Sequence, residues 1–179
     1  LLDVSRIEMG TLVVESKPTS IVKLAQGVID EQMLQINEKK LKFSTVFEND
    51  IPSIQADPKL LRMVIQNLLS NSVKYTPEGG KVGISISLDK NKNIILKMSD
   101  TGYGIPKDQQ DKIFTKLFRA DNVIGKDTEG TGLGLYIAKS IVEQMGGLLW
   151  FESDENKGTT FHATLPLGKK KNGGNGNGS

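Results

Sequence analysis

The stretch Asp57-Pro58-Lys-Leu-Leu-Arg-Met-Val-Ile-Gln-Asn67-Leu-Leu-Ser-Asn71-Ser-Val-Lys74-Tyr75-Thr-Pro77 decides how this chain folds. It opens on a carboxylate able to cap a helix and a proline at the first helical position, where the missing N–H costs nothing. Leu61, Ile65, Leu68 and Leu69 then recur on one arc at helical spacing, with Lys59, Gln66 and Ser70 nearly opposite. The stretch predicts a helix from Pro58 to about Tyr75, stopped by Thr76-Pro-Glu-Gly-Gly80. At ~100° per residue, Asn67, Asn71 and Lys74 fall within ~60° of one another, at the edge of the buried arc. Two amides and an ammonium in line beside a core make an oxygen-rich, cationic strip, suited to a hydrated Mg²⁺ and the phosphates it bridges. An ordinary solvated helix edge would use the same residue types.

On the N-terminal side, Thr11 to Glu15 is a short β-favouring run. Thr19 or Ser20 can cap a helix carrying Ile21, Leu24, Ala25, Val28, Ile29 and Ile36 on one side, and a strand from Leu41 to Glu48 follows. On the C-terminal side, Val82, Ile84, Ile86 and Leu88 alternate with small residues. Ile94, Leu96 and Met98 share one face of a second strand, and the two predict a hairpin. Pro106 to Phe118 has short helical character, and Arg119 to Thr131 reads as a long, polar, mobile loop. A helix with Leu133, Ile137, Ala138, Ile141 and Met145 inward ends at Gly146-Gly147, before strands Leu148 to Ser153 and Thr159 to Leu165. The order predicts α+β, one sheet covered by helices.

With 179 residues and 37% apolar content, the chain suits one globular domain with short appendages. Lys and Arg number 23 against 21 Asp and Glu, so there is no basic field of the kind a nucleic-acid binder carries. The absence of cysteine excludes disulfides and thiolate metal sites. No apolar run approaches the ~20 residues of a membrane span, and no signal peptide is visible. The expectation is a soluble, cytoplasmic fragment, with membrane anchorage of a parent left open. Leu1 to Met9 is a helical pattern already in progress, uncapped, before Gly10 stops it. Residues 1–10 are therefore expected to continue an upstream helix, 11–167 to form the domain, and 168–179 to be a disordered Lys, Asn and Gly tail.

Three further motifs carry chemistry. Asp100 shares strand parity with Ile94, Leu96 and Met98, so its carboxylate faces the apolar side and needs donors there. Gly102 and Gly104 leave room beyond it for a flat ligand with an exocyclic amine, although an Asx turn would also explain Asp100-Thr-Gly102. Gly130-Thr131-Gly132-Leu133-Gly134 opens a helix, where bare amides and the positive dipole end can meet phosphate oxygens. No Gly-Lys-Ser/Thr follows, and no strand precedes, so this is neither a Walker A loop nor a dinucleotide fingerprint. Phe114 and Phe118 read as core anchors, and Arg119 beside them can reach a terminal phosphate with its planar fork.

In this order, the stretches beginning at Asn67, Asp100, Ile113 and Gly130 resemble the N, G1, F and G2 boxes of the ATP-binding catalytic domain of bacterial sensor histidine kinases. That family lies within the wider GHKL superfamily, with gyrase B and Hsp90. The resemblance covers about Thr19 to Leu167 and implies a two-layer α/β sandwich of the Bergerat type, a mixed sheet covered by about three helices, with ATP under a mobile lid. It implies a nucleotide-binding set of Asn67, Asn71, Lys74, Tyr75, Asp100, Gly102, Gly104, Ile105, Arg119, Gly130, Thr131, Gly132, Leu133 and Gly134. Asn71 would ligate Mg²⁺, Asp100 would accept the adenine amine, and Asn67, Lys74 and Arg119 would stand nearest the transferred phosphoryl. Lys126 in the lid has no secure motif position. Leu1 to Met9 looks like the last turns of the dimerisation and phosphoacceptor hairpin. The partners implied are ATP or ADP, that hairpin, and a response-regulator receiver domain, with the fragment monomeric and its parent homodimeric.

The family's acceptor is a histidine on the upstream hairpin, whereas the sole histidine here, His162, falls on the predicted last strand, opposite Phe161, Ala163 and Leu165. The chain is thus expected to lack its own acceptor. Gyrase-like and Hsp90-like clamps place a glutamate where this chain has Asn67, and an amide is no general base at neutral pH. Such a clamp, a stand-alone anti-sigma serine kinase and a nucleotide-dependent partner-binding module remain the alternatives at this point. Leu1 to Met9 argues against the serine kinase.

Overall fold

The structure, a computed structural model, describes residues 2–126 and 130–168, with no side-chain description for residues 2 and 3. The expected tail beyond Gly168 lies outside the described residues. In chain order the elements are α1 (Leu2–Glu8), β1 (Lys17–Thr19), α2 (Ile21–Glu38), β2 (Lys42–Phe47), β3 (Ile54–Ala56), α3 (Pro58–Tyr75), β4 (Lys81–Leu88), β5 (Ile94–Asp100), α4 (Gly134–Gln144), β6 (Leu148–Asp154) and β7 (Gly158–Leu165). Two short 3-10 turns, Lys107–Lys112 and Asp121–Val123, lie between β5 and α4.

Five strands form one sheet in the order β2-β4-β5-β7-β6; β2 and β4 are parallel and every other neighbouring pair is antiparallel. The sheet is therefore mixed. The parallel pair arises because α3 lies between β2 and β4 in the chain, as parallel neighbours need a crossover of this kind. The helices cover one face. Val82, Ile84 and Ile86 of β4, Leu96 and Met98 of β5, and Phe161 and Ala163 of β7 pack beneath Leu61, Ile65, Leu68 and Leu69 of α3 and Ala138, Ile141 and Val142 of α4.

Both predicted caps form. Ser20 Oγ accepts from Lys23 N at 3.3 Å, and Asp57 Oδ1 accepts from Lys59 N at 2.9 Å, with Pro58 in the first turn of α3. The second oxygen of Asp57 accepts from Glu15 N at 3.0 Å, so the start of α3 also anchors the N-terminal segment.

The run Thr11 to Glu15 is not a strand. Val13 and Val14 are exposed, and the ladder begins only at Lys17, which pairs with Ala56. The β propensity of a Leu-Val-Val run has no effect without a partner edge, and the partner, β3, was too short to be read from sequence.

The unsheltered face of the sheet presents His162 and Trp150, which are register partners and stack with ring centroids 5.2 Å apart at 6°. His162 is on the face away from α3 and α4, as its strand parity with Thr160 and Thr164 requires.

Candidate nucleotide site

A cavity of 630 Å³ opens between α3, the end of β5, the start of β7 and the N-terminus of α4. It is the size of a pocket for a ligand such as a nucleotide. Asn67, Asn71, Lys74 and Tyr75 line it from α3, and Asp100, Gly104 and Ile105 from the end of β5 and the loop after it. Arg119 lines the opposite side, with Gly130, Thr131, Gly132, Leu133 and Gly134 at the start of α4. Of the nucleotide-binding set expected from the sequence, only Gly102 is not in the lining.

Gly102 and Gly104 act differently from the sequence expectation. A Cβ at Gly104 would stand 2.0 Å from Asp154 O, and φ there is +65°. A Cβ at Gly102 would meet Tyr75 O at 2.4 Å and Asp100 Oδ1 at 2.8 Å. Their missing side chains let the loop press against the end of α3 and the β6–β7 turn, and Gly104 also lines the cavity. The same loop is tied down by Tyr103 N donating to Tyr75 O, Asn156 N to Tyr103 O, and Ile105 N to Ser153 Oγ.

Asp100 is the acid of the pocket. Its Oδ1 accepts from Gly102 N at 2.9 Å, as an Asx turn requires, and from Thr159 N at 3.2 Å across the strand pair. Burial pushes its carboxyl above the ordinary aspartate range, and the Gly102 amide, the Ser72 hydroxyl and the Thr159 amide pull the other way. Oδ1 accepts from two backbone amides, and the second oxygen of a carboxylate offers further acceptor sites that a ligand donor can use. The Asx turn and a ligand-facing carboxylate coexist.

At the other end, the start of α4 meets α3 closely. A Cβ at Gly134 would lie 3.0 Å from Asn67 Oδ1, and one at Gly130 would lie 2.7 Å from Lys74 Nζ. Side chains at these positions would crowd the cradle in which a phosphate chain would sit. Leu133, the N-cap of α4, makes no side-chain cap bond, so the first amides of the helix stay available to an anion. Among the described residues no cluster of three or more His, Cys, Asp or Glu could hold a metal. A divalent ion here would depend on the Asn71 amide oxygen, water and phosphate oxygens. That donor set fits Mg²⁺, which keeps several waters and takes few protein ligands.

Sequence reasoning missed Thr159, Ser72, Phe161, Ile137 and Val4 in the lining. Ser72 follows from helical phase, one step from Asn71 toward the core. Thr159 needed the register Asp100↔Thr159, which joins residues far apart in the chain. Val4 sits on α1, whose Glu8 pairs with Lys116 and accepts from Tyr136 Oη at 3.3 Å. The residues Arg119 to Lys126 are also more ordered than an aperiodic loop. Gln109 and Asp121 exchange two hydrogen bonds, of 2.9 and 2.8 Å, and Asn122 Nδ2 donates to Tyr103 O and Gly104 O. Amides of Ile124 to Lys126 and of Thr131 to Leu133 are expected to gain protection when ATP is added, while Asp121 and Asn122 keep theirs, as hydrogen exchange with and without nucleotide will read.

The pocket is thus bounded by an Asn-bearing helix, an acid behind a glycine turn and a glycine-rich helix start. Residues 56–169 match the family of histidine kinase-, DNA gyrase B- and HSP90-like ATPases. The chain belongs to that family. It is 36% identical over 167 residues to the adaptive-response sensory kinase SasA of Synechococcus sp. (strain JA-3-3Ab), a match covering 93% of this chain and 44% of that protein. Among solved structures it resembles full-length ShkA in complex with AMPPNP, with a TM-score of 0.82 and 25% identity over 94% of this chain and 35% of that one. It also resembles the nucleotide-free catalytic domain of the histidine kinase ThkA, with a TM-score of 0.74 and 28% identity over 86% of this chain and 96% of that domain. The chain spans less than half the length of its curated relative. It is an ATP-binding catalytic domain of the sensor histidine kinase type, in the mixed α+β sandwich of those domains. No helix among the described residues is long and apolar enough to cross a membrane.

Proposed function

We propose that this domain transfers the γ-phosphoryl of Mg²⁺-bound ATP to a histidine on a helical hairpin, to which α1 is the connection, and that the phosphoryl passes on to a response-regulator receiver domain. The observation that carries transfer over hydrolysis is that Asp100 is the only carboxylate among the described residues lining the cavity. It lies at the base end, bonded to Gly102 N and Thr159 N. At the phosphate end stands Asn67, an amide that cannot take a proton from water at neutral pH.

The roles follow from placement. Asp100 accepts the adenine amine, Lys74 and Arg119 offset phosphate charge, and Asn67 and Asn71 orient oxygens beneath the amides at the start of α4. Asn71 would hold the metal, which would supply charge neutralisation to the phosphates. His162 cannot serve as the acceptor in this fold, because its ring lies on the far face of the sheet against Trp150.

The test supplies the chain with Mg²⁺, labelled ATP and a separate histidine-bearing hairpin. Acid-labile, base-stable label is expected on the hairpin alone, and EDTA abolishes it. Asn67→Glu is expected to gain hydrolysis without gaining transfer. Robust labelling of the domain itself, at His162 above all, would overturn the assignment.

A further inference from the structure

An α-helix leaves its last four carbonyls without intrahelical partners, and in α3 these belong to Ser72, Val73, Lys74 and Tyr75, the turn that carries three lining residues of the cavity. Each has a partner. Thr76 Oγ1 donates to Ser72 O at 2.6 Å, and Tyr103 N donates to Tyr75 O at 3.1 Å. The middle two are both taken by Lys39 Nζ, at 2.6 Å from Val73 O and 3.0 Å from Lys74 O. Lys39 is the C-cap of α2 and does not line the cavity.

We propose that Lys39 is a positioning residue for nucleotide binding, whose ammonium holds the last turn of α3 so that Lys74 and Tyr75 face the cavity. The proposal rests on the nucleotide reading of that cavity. A cation at a helix C-terminus opposes the negative end of the dipole, and two charge-assisted bonds fix the turn more tightly than water would. Lys39 is half-buried, and desolvation draws its pKa below the ordinary lysine value. The surroundings reinforce the clamp: Gly79 N donates to Lys39 O at 2.9 Å, and Lys40 pairs with Glu78 at 2.9 Å. The end of α2 therefore grips the end of α3 on both sides of the turn after Tyr75. Asp100 is held by Gly102 N and Thr159 N, neither of them a partner of Lys39, so loss of Lys39 acts first on the Lys74 side of the pocket and reaches the base side only through the Tyr103–Tyr75 bond.

The experiment compares wild type, Lys39→Met and Lys39→Arg by calorimetric titration with Mg²⁺-ATP and with adenosine, and by amide exchange without nucleotide. Lys39→Met is expected to weaken Mg²⁺-ATP about tenfold, because two carbonyls lose their donor and the turn frays, while adenosine affinity changes less than about twofold. Exchange at Lys74 and Tyr75 rises about tenfold and that of α4 does not. Lys39→Arg, whose fork can serve both carbonyls, restores most of the ATP affinity. Equal losses of ATP and adenosine would make Lys39 a general stabiliser and overturn the proposal, as would unchanged exchange at Lys74 and Tyr75. If Lys39→Met does not fold, Lys39→Gln, with a shorter neutral donor, decides by the same ratio. If wild type binds neither ligand, the nucleotide reading fails, and the exchange comparison alone settles whether Lys39 holds the turn.

Discussion

Asp100→Asn is expected to weaken ATP binding by about 1.5 to 3 kcal/mol, roughly tenfold to a hundredfold, while leaving the fold nearly as stable as before. The amide oxygen can keep the bonds from Gly102 N and Thr159 N, so the Asx turn and the strand pairing survive. The lost feature is the charged acceptor, and the new NH₂ group meets the donor amine of adenine with another donor. The pH dependence adds a second signature. Burial raises the Asp100 pKa, so between the unfolded value of about 3.9 and the raised one the folded state holds more protons than the unfolded state. The contribution of this group to stability is therefore highest below that window and falls as pH rises through it. Adenine favours the ionised form, so ATP affinity climbs over the same interval and binding there releases a proton. Calorimetry in buffers of different ionisation enthalpy reads that proton, and Asp100→Asn should lose it. An unchanged Kd in the variant would return Asp100 to a turn-forming role alone.

Gly104→Ala is expected to cost about 3 to 5 kcal/mol in folding stability. The new Cβ would lie 2.0 Å from the backbone oxygen of Asp154 and 2.7 Å from its carbonyl carbon, atoms that no rotamer change can move aside. Gly79→Ala is the control. Its φ is +79° but nothing stands within 4 Å, so only the left-handed penalty of about 1 to 2 kcal/mol applies. Urea denaturation of the pair separates backbone approach from backbone conformation. Equal midpoints would mean that the loop after β5 does not press on the β6–β7 turn.

Local chemistry made much of this domain readable. Asp57-Pro58 marked the start of α3 because cap and proline act within a few bonds, and the alternation from Val82 to Met98 marked the hairpin because strand faces follow a two-residue period. The cavity was readable where its residues share an element, as Asn67, Asn71 and Lys74 do. Thr159 was not, because its place beside Asp100 depends on strand register across the whole chain, and neither was Lys39, because nothing in α2 announces which carbonyls its ammonium will meet. The glycines of the loop after β5 were marked as special, but a sequence shows that a side chain is absent without showing what fills the space. The same reasoning explains Asp121 to Val123, where an aperiodic sequence is pinned by Gln109 and by contacts to a distant turn.

The stacked pair on the open face of the sheet divides the optical reporters of this molecule into two groups. Trp150 is the only tryptophan, and it lies against His162 with the full thickness of the sheet between it and the cavity. The three tyrosines all lie on the other side of the molecule's chemistry: Tyr75 in the cavity wall, Tyr103 beneath the Lys126 ammonium 3.7 Å from its ring centroid, and Tyr136 bonded to Glu8. Indole emission excited at the red edge therefore follows the integrity of the sheet, and phenol emission follows the cavity wall at Tyr75, the loop after β5 at Tyr103 and the seating of α1 at Tyr136. A single unlabelled sample thus carries one chromophore for the open face of the sheet and three on the side of the cavity, of which Tyr75 stands in its wall.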